Sequence, residues 1–214
     1  MARRFKVDMD PANTSATRYA SNATGATWTL AQTTPGDFLA RVVTITNDSS
    51  TDHSGKTALL TGTDADGKAQ TETLTLGGAS AAVTSAKHYL TLTSVVPSAT
   101  VGTDTFDIGI GDDIVSKTVP LNFRSDTAAL AGIDVTGTIG VDIELTLDPP
   151  NRPGDFTWTD QGTPIWFNAG NFTAKTADTF GALDLGAFAA RFRINSYTDT
   201  AEVQGWIADG VGSG

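Results

Sequence analysis

Residues Val135–Leu147 read VTGTIGVDIELTL, and their alternation decides the fold class. Val135, Ile139, Val141, Ile143, Leu145 and Leu147 fall on odd positions, while Thr136, Thr138, Asp142, Glu144 and Thr146 fall on even ones. A period of two is the pattern of a strand with one dry and one wet face. Wound as a helix, the same residues would spread Asp142, Glu144 and Leu145 around most of the circumference and leave no stripe to bury. The β-branched residues also favour extended backbone. At about 3.3 Å per residue the stretch would reach roughly 40 Å, longer than most strands, so a bend or bulge is expected at Gly137 or Gly140.

Two later stretches repeat the design. In Ala190–Asn195, Phe192 and Ile194 alternate with Arg191 and Arg193; in Ala201–Ile207, Val203 and Ile207 alternate with Glu202, Gln204 and Trp206. Three half-buried strands call for an antiparallel sheet whose apolar face is covered by a second layer.

Composition limits the partners. With 214 residues and 39% hydrophobic content, the chain suffices for one large all-β domain or two small ones. No run approaches the roughly 18 apolar residues of a membrane span. A formal net charge of −10 repels phosphate backbones and anionic lipid, so neither nucleic acid nor membrane is an expected partner. There is no cysteine, hence no disulfide framework and no thiolate chemistry. The opening MARRFKVDMD has two arginines but no following apolar region, which argues against a secretory signal. The expected location is the cytoplasm, or a particle assembled there.

Along the chain, residues 1–36 are small and polar apart from Phe5, Val7, Trp28 and Leu30. They read as an extended N-terminal arm, packed by Trp28 or reaching a neighbouring subunit, with Phe5 and Val7 as a short strand. Strand-like runs begin at Phe38. Asp66-Gly67 suits the left-handed angles of a type I′ hairpin between the runs either side of it. HYLTLTSVV (88–96) and DTFDIGIGD (104–112) read as further strands. Residues 114–125 then read as a crossing between halves, with Pro120 confined to a strand edge or end. No helix of ordinary length is visible; only Leu183–Ala190 has the spacing for a helical turn, and Gly181 and Gly186 weigh against it. The expectation is an all-β chain of two tandem antiparallel β-sandwich or barrel modules. The arm spans 1–36, the first module 37–117 and the second 118–214.

Candidate chemistry is sparse. His53 and His88 are the only histidines, with no clustered partner for a zinc site. Asp64, Asp66, Gly67 and Glu72 resemble a calcium loop, but with Gly67 sixth the first position is Gly62 and the twelfth Thr73, so the match fails. Asp104, Asp107, Asp112 and Asp113 are the remaining acidic set at strand ends. Asp142 and Glu144 share a face about 7 Å apart, near the separation of inverting glycosidases. Binary patterning accounts for them as well, with Arg191 and Arg193 as cross-strand ion partners. No nucleophile elbow, Walker loop or dinucleotide fingerprint occurs. Neither an enzymatic activity nor a cofactor or metal is therefore expected. Trp158, Trp166, Phe167 and Phe172 form the densest aromatic group and read as core of the second module, or else as a sugar-stacking platform.

Several segments together resemble a group of tailed-bacteriophage virion structural proteins. They are RVVTITNDSSTDHSGKTALLTGTDADGKAQTETLTLGG (41–78), KHYLTLTSVV (87–96), IDVTGTIGVDIELTLDPP (133–150), Trp158, AARFRIN (189–195) and AEVQGWI (201–207). They cover about two thirds of the chain and leave the arm unmatched. The resemblance implies a non-enzymatic, β-rich virion component, most similar to a capsid decoration or cement protein, and it carries no functional residue with it. It implies as partner the major capsid protein or another virion protein, and a homo-oligomer, a trimer by preference. For partner binding the residues singled out are Arg3, Arg4 and Lys6, basic groups suited to an acidic surface, and Trp206, which alternation places outside its module's core. A tail, collar or fibre-base component and a carbohydrate-binding module are the alternatives.

Overall fold

The computed structural model describes residues 4–11, 14–121, 129–148, 164–183, 186–198 and 200–208. The chain divides into two compact units, one of Pro11–Val115 and one that joins Met1–Asp10 to Ser116–Gly214. Strand β1 (Arg4–Met9) belongs to the discontinuous unit. The Pro11–Val115 unit holds β2 (Ser15–Ala23), β3 (Ala40–Asn47), β4 (Thr57–Thr63), β5 (Ala69–Thr75), β6 (Ala82–Tyr89), β7 (Thr91–Pro97) and β8 (Phe106–Val115). The discontinuous unit continues with β9 (Val119–Pro120), β10 (Leu130–Thr136), β11 (Ile139–Thr146) and β12 (Trp166–Asn168). It ends with β13 (Thr179–Ala182), β14 (Ala189–Tyr197) and β15 (Glu202–Ala208). Among the described residues the single helical element is a 3-10 turn at Gly170–Phe172, and every strand pair is antiparallel. The all-β expectation holds.

In the Pro11–Val115 unit, β8 pairs with β2 and β3, and β3 pairs with β6. A separate sheet runs β5-β4-β7. Between them lies an apolar core that includes Tyr19, Trp28, Ile45, Leu60, Leu92, Phe106 and Ile108. Trp28 stacks on Phe106 with ring centroids 5.0 Å apart. The HYLTLTSVV stretch is not one strand: it breaks at Leu90, so that Tyr89 ends β6 in one sheet and Thr91 begins β7 in the other. The turn at Asp66-Gly67 also differs from expectation. Register pairs Thr63 with Ala69, and Asp64 N donates to Lys68 O. Gly67, at φ 80°, closes a longer loop in which Asp64 Oδ1 accepts the Asp66 and Lys68 amides. An acceptor side chain at the loop's first residue selects this turn over the two-residue one.

The discontinuous unit is built around the stretch quoted at the outset, which contributes two strands. Gly137, at φ 80°, turns the chain between β10 and β11, and a register shift follows at Gly140/Val141. Both glycines thus interrupt the strand, and the first also moves it to the other sheet. Sheet β1-β15-β10-β13 contains β10, whereas β11 lies between β12 and β14, with β9 on the far edge of β14. The Phe192 ring of β14 lies over Gly205 of β15, and the Phe172 ring of the 3-10 turn lies over Gly181 of β13.

Two expectations are corrected here. The described residues of 1–36 do not form an extended arm. Arg4–Met9 pairs with Ala208–Val203 as β1, and Ser15–Ala23 pairs with β8 as β2. The short strand expected at Phe5 and Val7 is present within β1, and the unpaired edge of β15 supplies its ladder bonds. Second, the even positions of Val135–Leu147 are not wet along β11, where all eight residues are buried.

Candidate interaction surface

Of the acidic residues read as chemical candidates, Asp64, Glu72, Asp104, Asp107, Asp113, Asp142 and Glu144 are engaged by local structure. Glu144, with 5% of its side chain exposed, accepts from Arg191 Nε at 2.6 Å and from Arg193 Nη1 at 3.1 Å. Asp142 accepts instead from Asn195 Nδ2 at 2.9 Å and from the Ala174 amide. The expected cross-strand ion pairing therefore forms around Glu144, while Asp142, though in register with Arg193, takes neutral donors. Both carboxylates are buried and hydrogen-bonded to protein donors, the structural use that binary patterning gives them. Arg191 also lies 4.2 Å from the centroid of the half-buried Trp166 ring, so that guanidinium is held between a carboxylate and an aromatic face. Of the aromatic group, Phe172 is fully buried as core and Phe167 is 41% exposed, while Trp158 lies outside the described residues.

In the other unit both histidines pair with aspartates. His53 Nε2 lies 2.9 Å from Asp104 Oδ2, and His88 Nε2 lies 2.9 Å from Asp113 Oδ1. Asp107 accepts the Asn22 amide, and Glu72 accepts the Ala86 and Lys87 amides. Among the described residues no group of three or more His, Asp or Glu side chains is placed to hold a metal ion. The His53 ring is buried and edge-on to Phe106, and its Nδ1 has no hydrogen-bond partner, which puts the ring proton on Nε2 toward Asp104. That hydrogen bond, followed by one from Thr51, holds the Asp104 carboxyl below its ordinary value of 3.8. A lowered carboxyl contributes stability that is in place above the ordinary value and is lost as pH falls through the folded one. Asp104→Asn is therefore expected to lessen the drop in melting temperature of this unit on acidification below pH 3.8, read as melting temperature against pH beside the wild type.

The remaining feature is a surface on the discontinuous unit. On the outward face of sheet β1-β15-β10-β13, register sets Lys6 beside Trp206, Trp206 beside Gly132 and Gly132 beside Phe180. The next row holds Arg4, Ala208, Leu130 and Ala182; the row on the other side holds Asp8, Gln204 and Asp134. Trp206 is 39% exposed, Leu130 43% and Phe180 75%. A Cβ on Gly132 would lie 3.4 Å from Trp206 Cε3 and 3.6 Å from Phe180 Cδ2, so the two rings close over that glycine from either side. Lys6 Nζ pairs with Asp8 Oδ1 at 2.9 Å at the rim. No known family, curated protein or solved structure matches this chain. Its interaction chemistry is therefore read from this geometry.

Of the residues singled out for partner binding, the fold brings Arg4, Lys6 and Trp206 onto one face, and Arg3 lies outside the described residues. Alternation in AEVQGWI already marked Trp206 as outward. Leu130, Gly132 and Phe180 were missed, because a four-residue strand and a glycine carry no periodic signal and their neighbourhood arises only through register.

Proposed function

We propose that this chain is a non-enzymatic structural protein of a tailed-phage virion, of the capsid decoration or cement kind, acting as a homo-oligomer through protein–protein contacts. The observation that carries the reading is the outward sheet face of Trp206, Phe180 and Leu130 rimmed by Arg4 and Lys6. An exposed aromatic–aliphatic cluster with cationic flanks has the composition of an interface hot spot. Carboxylates that could otherwise serve chemistry are engaged in structure, which favours binding over turnover. Repetition of such a face across an oligomer converts modest single contacts into firm attachment.

The test is co-sedimentation of the purified chain with assembled heads. Trp206→Ala is expected to weaken binding by about thirtyfold, as loss of a central aromatic anchor does. Heads that bind the variant as tightly as the wild type would remove the reading, and binding to tails or collars alone would move it elsewhere in the particle. A second reading has support in the same row. Trp206 and Phe180 flank a glycine and are followed by Gln204 and Asp134, an arrangement that suits stacking and hydrogen bonding to a sugar ring. Quenching or shift of tryptophan fluorescence across a glycan panel, abolished in Trp206→Ala, would favour it.

A further inference from the structure

Strand β1 stands apart from the rest of its unit along the chain. Every other strand of the discontinuous unit lies beyond Ser116, and the whole Pro11–Val115 unit intervenes between β1 and β9. At one end of its sheet, β1 pairs with β15 alone, through six register pairs from Arg4↔Ala208 to Met9↔Val203. That ladder closes a loop of about 190 residues, and the cost of so long a closure narrows the advantage of pairing within one chain over pairing between two.

The joint and the contacts of β1 both suit transfer. β1 ends at Met9, and the chain passes from one unit to the other at Asp10–Pro11. The residue before a proline favours extended backbone, so Asp10 carries the strand direction onward instead of folding it back. Among the described residues no ion pair joins β1 to another strand, and Lys6 Nζ pairs with Asp8 Oδ1 inside β1 itself. What holds β1 is its ladder and its inward residues Phe5, Val7 and Met9, of which Met9 is fully buried. The same strand from another copy remakes all of these contacts. A slip of one residue would turn Arg4, Lys6 and Asp8 inward, so the edge of β15 selects this sequence in this register. Without an occupant that edge is a row of unpaired N–H and C=O groups, which recruits a strand.

We propose that β1 is exchanged between copies of this chain, the β1 of one pairing with the β15 of another. The receiving surface is the β15 edge, defined by the ladder it makes with β1. Register then sets the incoming Lys6 beside Trp206 and the incoming Arg4 beside Ala208. In the exchanged form the outward face is thus built from two copies, one supplying its cationic rim and the other Trp206, Leu130 and Phe180. Passage of each β1 to the next copy, within a pair or around a ring, leaves no β15 edge open. The exchange rests on the homo-oligomer reading above and goes beyond it by naming the contact.

The chain has no cysteine, so disulfide trapping reads the exchange directly. Asp8 and Gln204 are exposed register partners across β1 and β15. Asp8→Cys and Gln204→Cys are placed on separate full-length chains with tags of different length, co-expressed, purified and oxidised without denaturant. Neither chain can form the bond within itself. A mixed disulfide is expected, about tenfold above that from Arg4→Cys with Gln204→Cys, whose sites lie roughly 13 Å out of register and beyond disulfide reach. With both substitutions on one chain, covalent oligomers are expected on a denaturing gel. A mixed disulfide no stronger than the control overturns the exchange, as does a doubly substituted chain that closes only on itself. Sedimentation equilibrium of the wild type separates the two readings. An oligomer without the mixed disulfide keeps the homo-oligomer and discards the exchange; a chain monomeric at every concentration discards both.

Discussion

Arg41→Ala is expected to destabilise the Pro11–Val115 unit by about 3–5 kcal/mol, the cost of leaving a buried carboxylate without its guanidinium. The Arg41 side chain is 0% exposed and Asp37 is 3% exposed, so neither charge can turn to water in place of its partner. The loss has a second component. Arg41 also holds the carbonyl of Gly111 in β8, and without it that oxygen loses a charged donor. Hydrogen exchange of peptides from Pro11–Val115, together with urea unfolding, measures the effect. Asp37→Asn in the Arg41→Ala background is expected to recover part of the loss, since a neutral amide removes the buried charge and still accepts from the Leu39 amide. If Arg41→Ala costs under about 1 kcal/mol, the pair behaves as a surface ion pair does.

Phe192→Ala is expected to cost the discontinuous unit about 3–5 kcal/mol through the cavity it leaves. Phe192 is fully buried in β14, and its ring occupies the space left by the absent side chain of Gly205 in β15. A Cβ on Gly205 would lie 2.4 Å from Phe192 Cζ, so Gly205→Ala is expected to cost about 1–3 kcal/mol by overpacking. The two changes share one volume and should not add. Gly205→Ala combined with Phe192→Leu is expected to be less destabilised than the sum of the single variants, and thermal unfolding of the four-member cycle gives the coupling. Additivity within about 0.5 kcal/mol would mean that the ring and the glycine do not compete for that space.

What was legible in the sequence follows from the range of the forces involved. Alternation records burial of one face, and burial is decided residue by residue, so the strands in Val135–Leu147, Ala190–Asn195 and Ala201–Ile207 could be read directly. It also marked Trp206 as outward before any partner strand was known. The short strand at Phe5 and Val7 could be read, but its place in a sheet could not, because ladder bonds to a remote strand leave no imprint on Arg4–Met9. The hairpin at Asp66-Gly67 was placed but mistyped, since the competing acceptor was the Asp64 side chain, a preference that dipeptide statistics do not carry.

By itself, then, the sequence determined an all-β chain, lacking disulfides, with an acidic surface and one tryptophan turned away from its core. Tertiary structure alone decided that the first strand completes a sheet made otherwise of residues beyond 129, and that the acidic face of β11 is buried beneath Arg191 and Arg193. It also decided that Leu130, Gly132, Phe180 and Trp206 share a surface, and that Arg41 and Asp37 are buried as an ion pair. The physical reason is that side-chain alternation is a local property of the chain. Register, sheet exchange at a glycine and desolvated charge pairing depend on residues brought together only when the chain closes on itself.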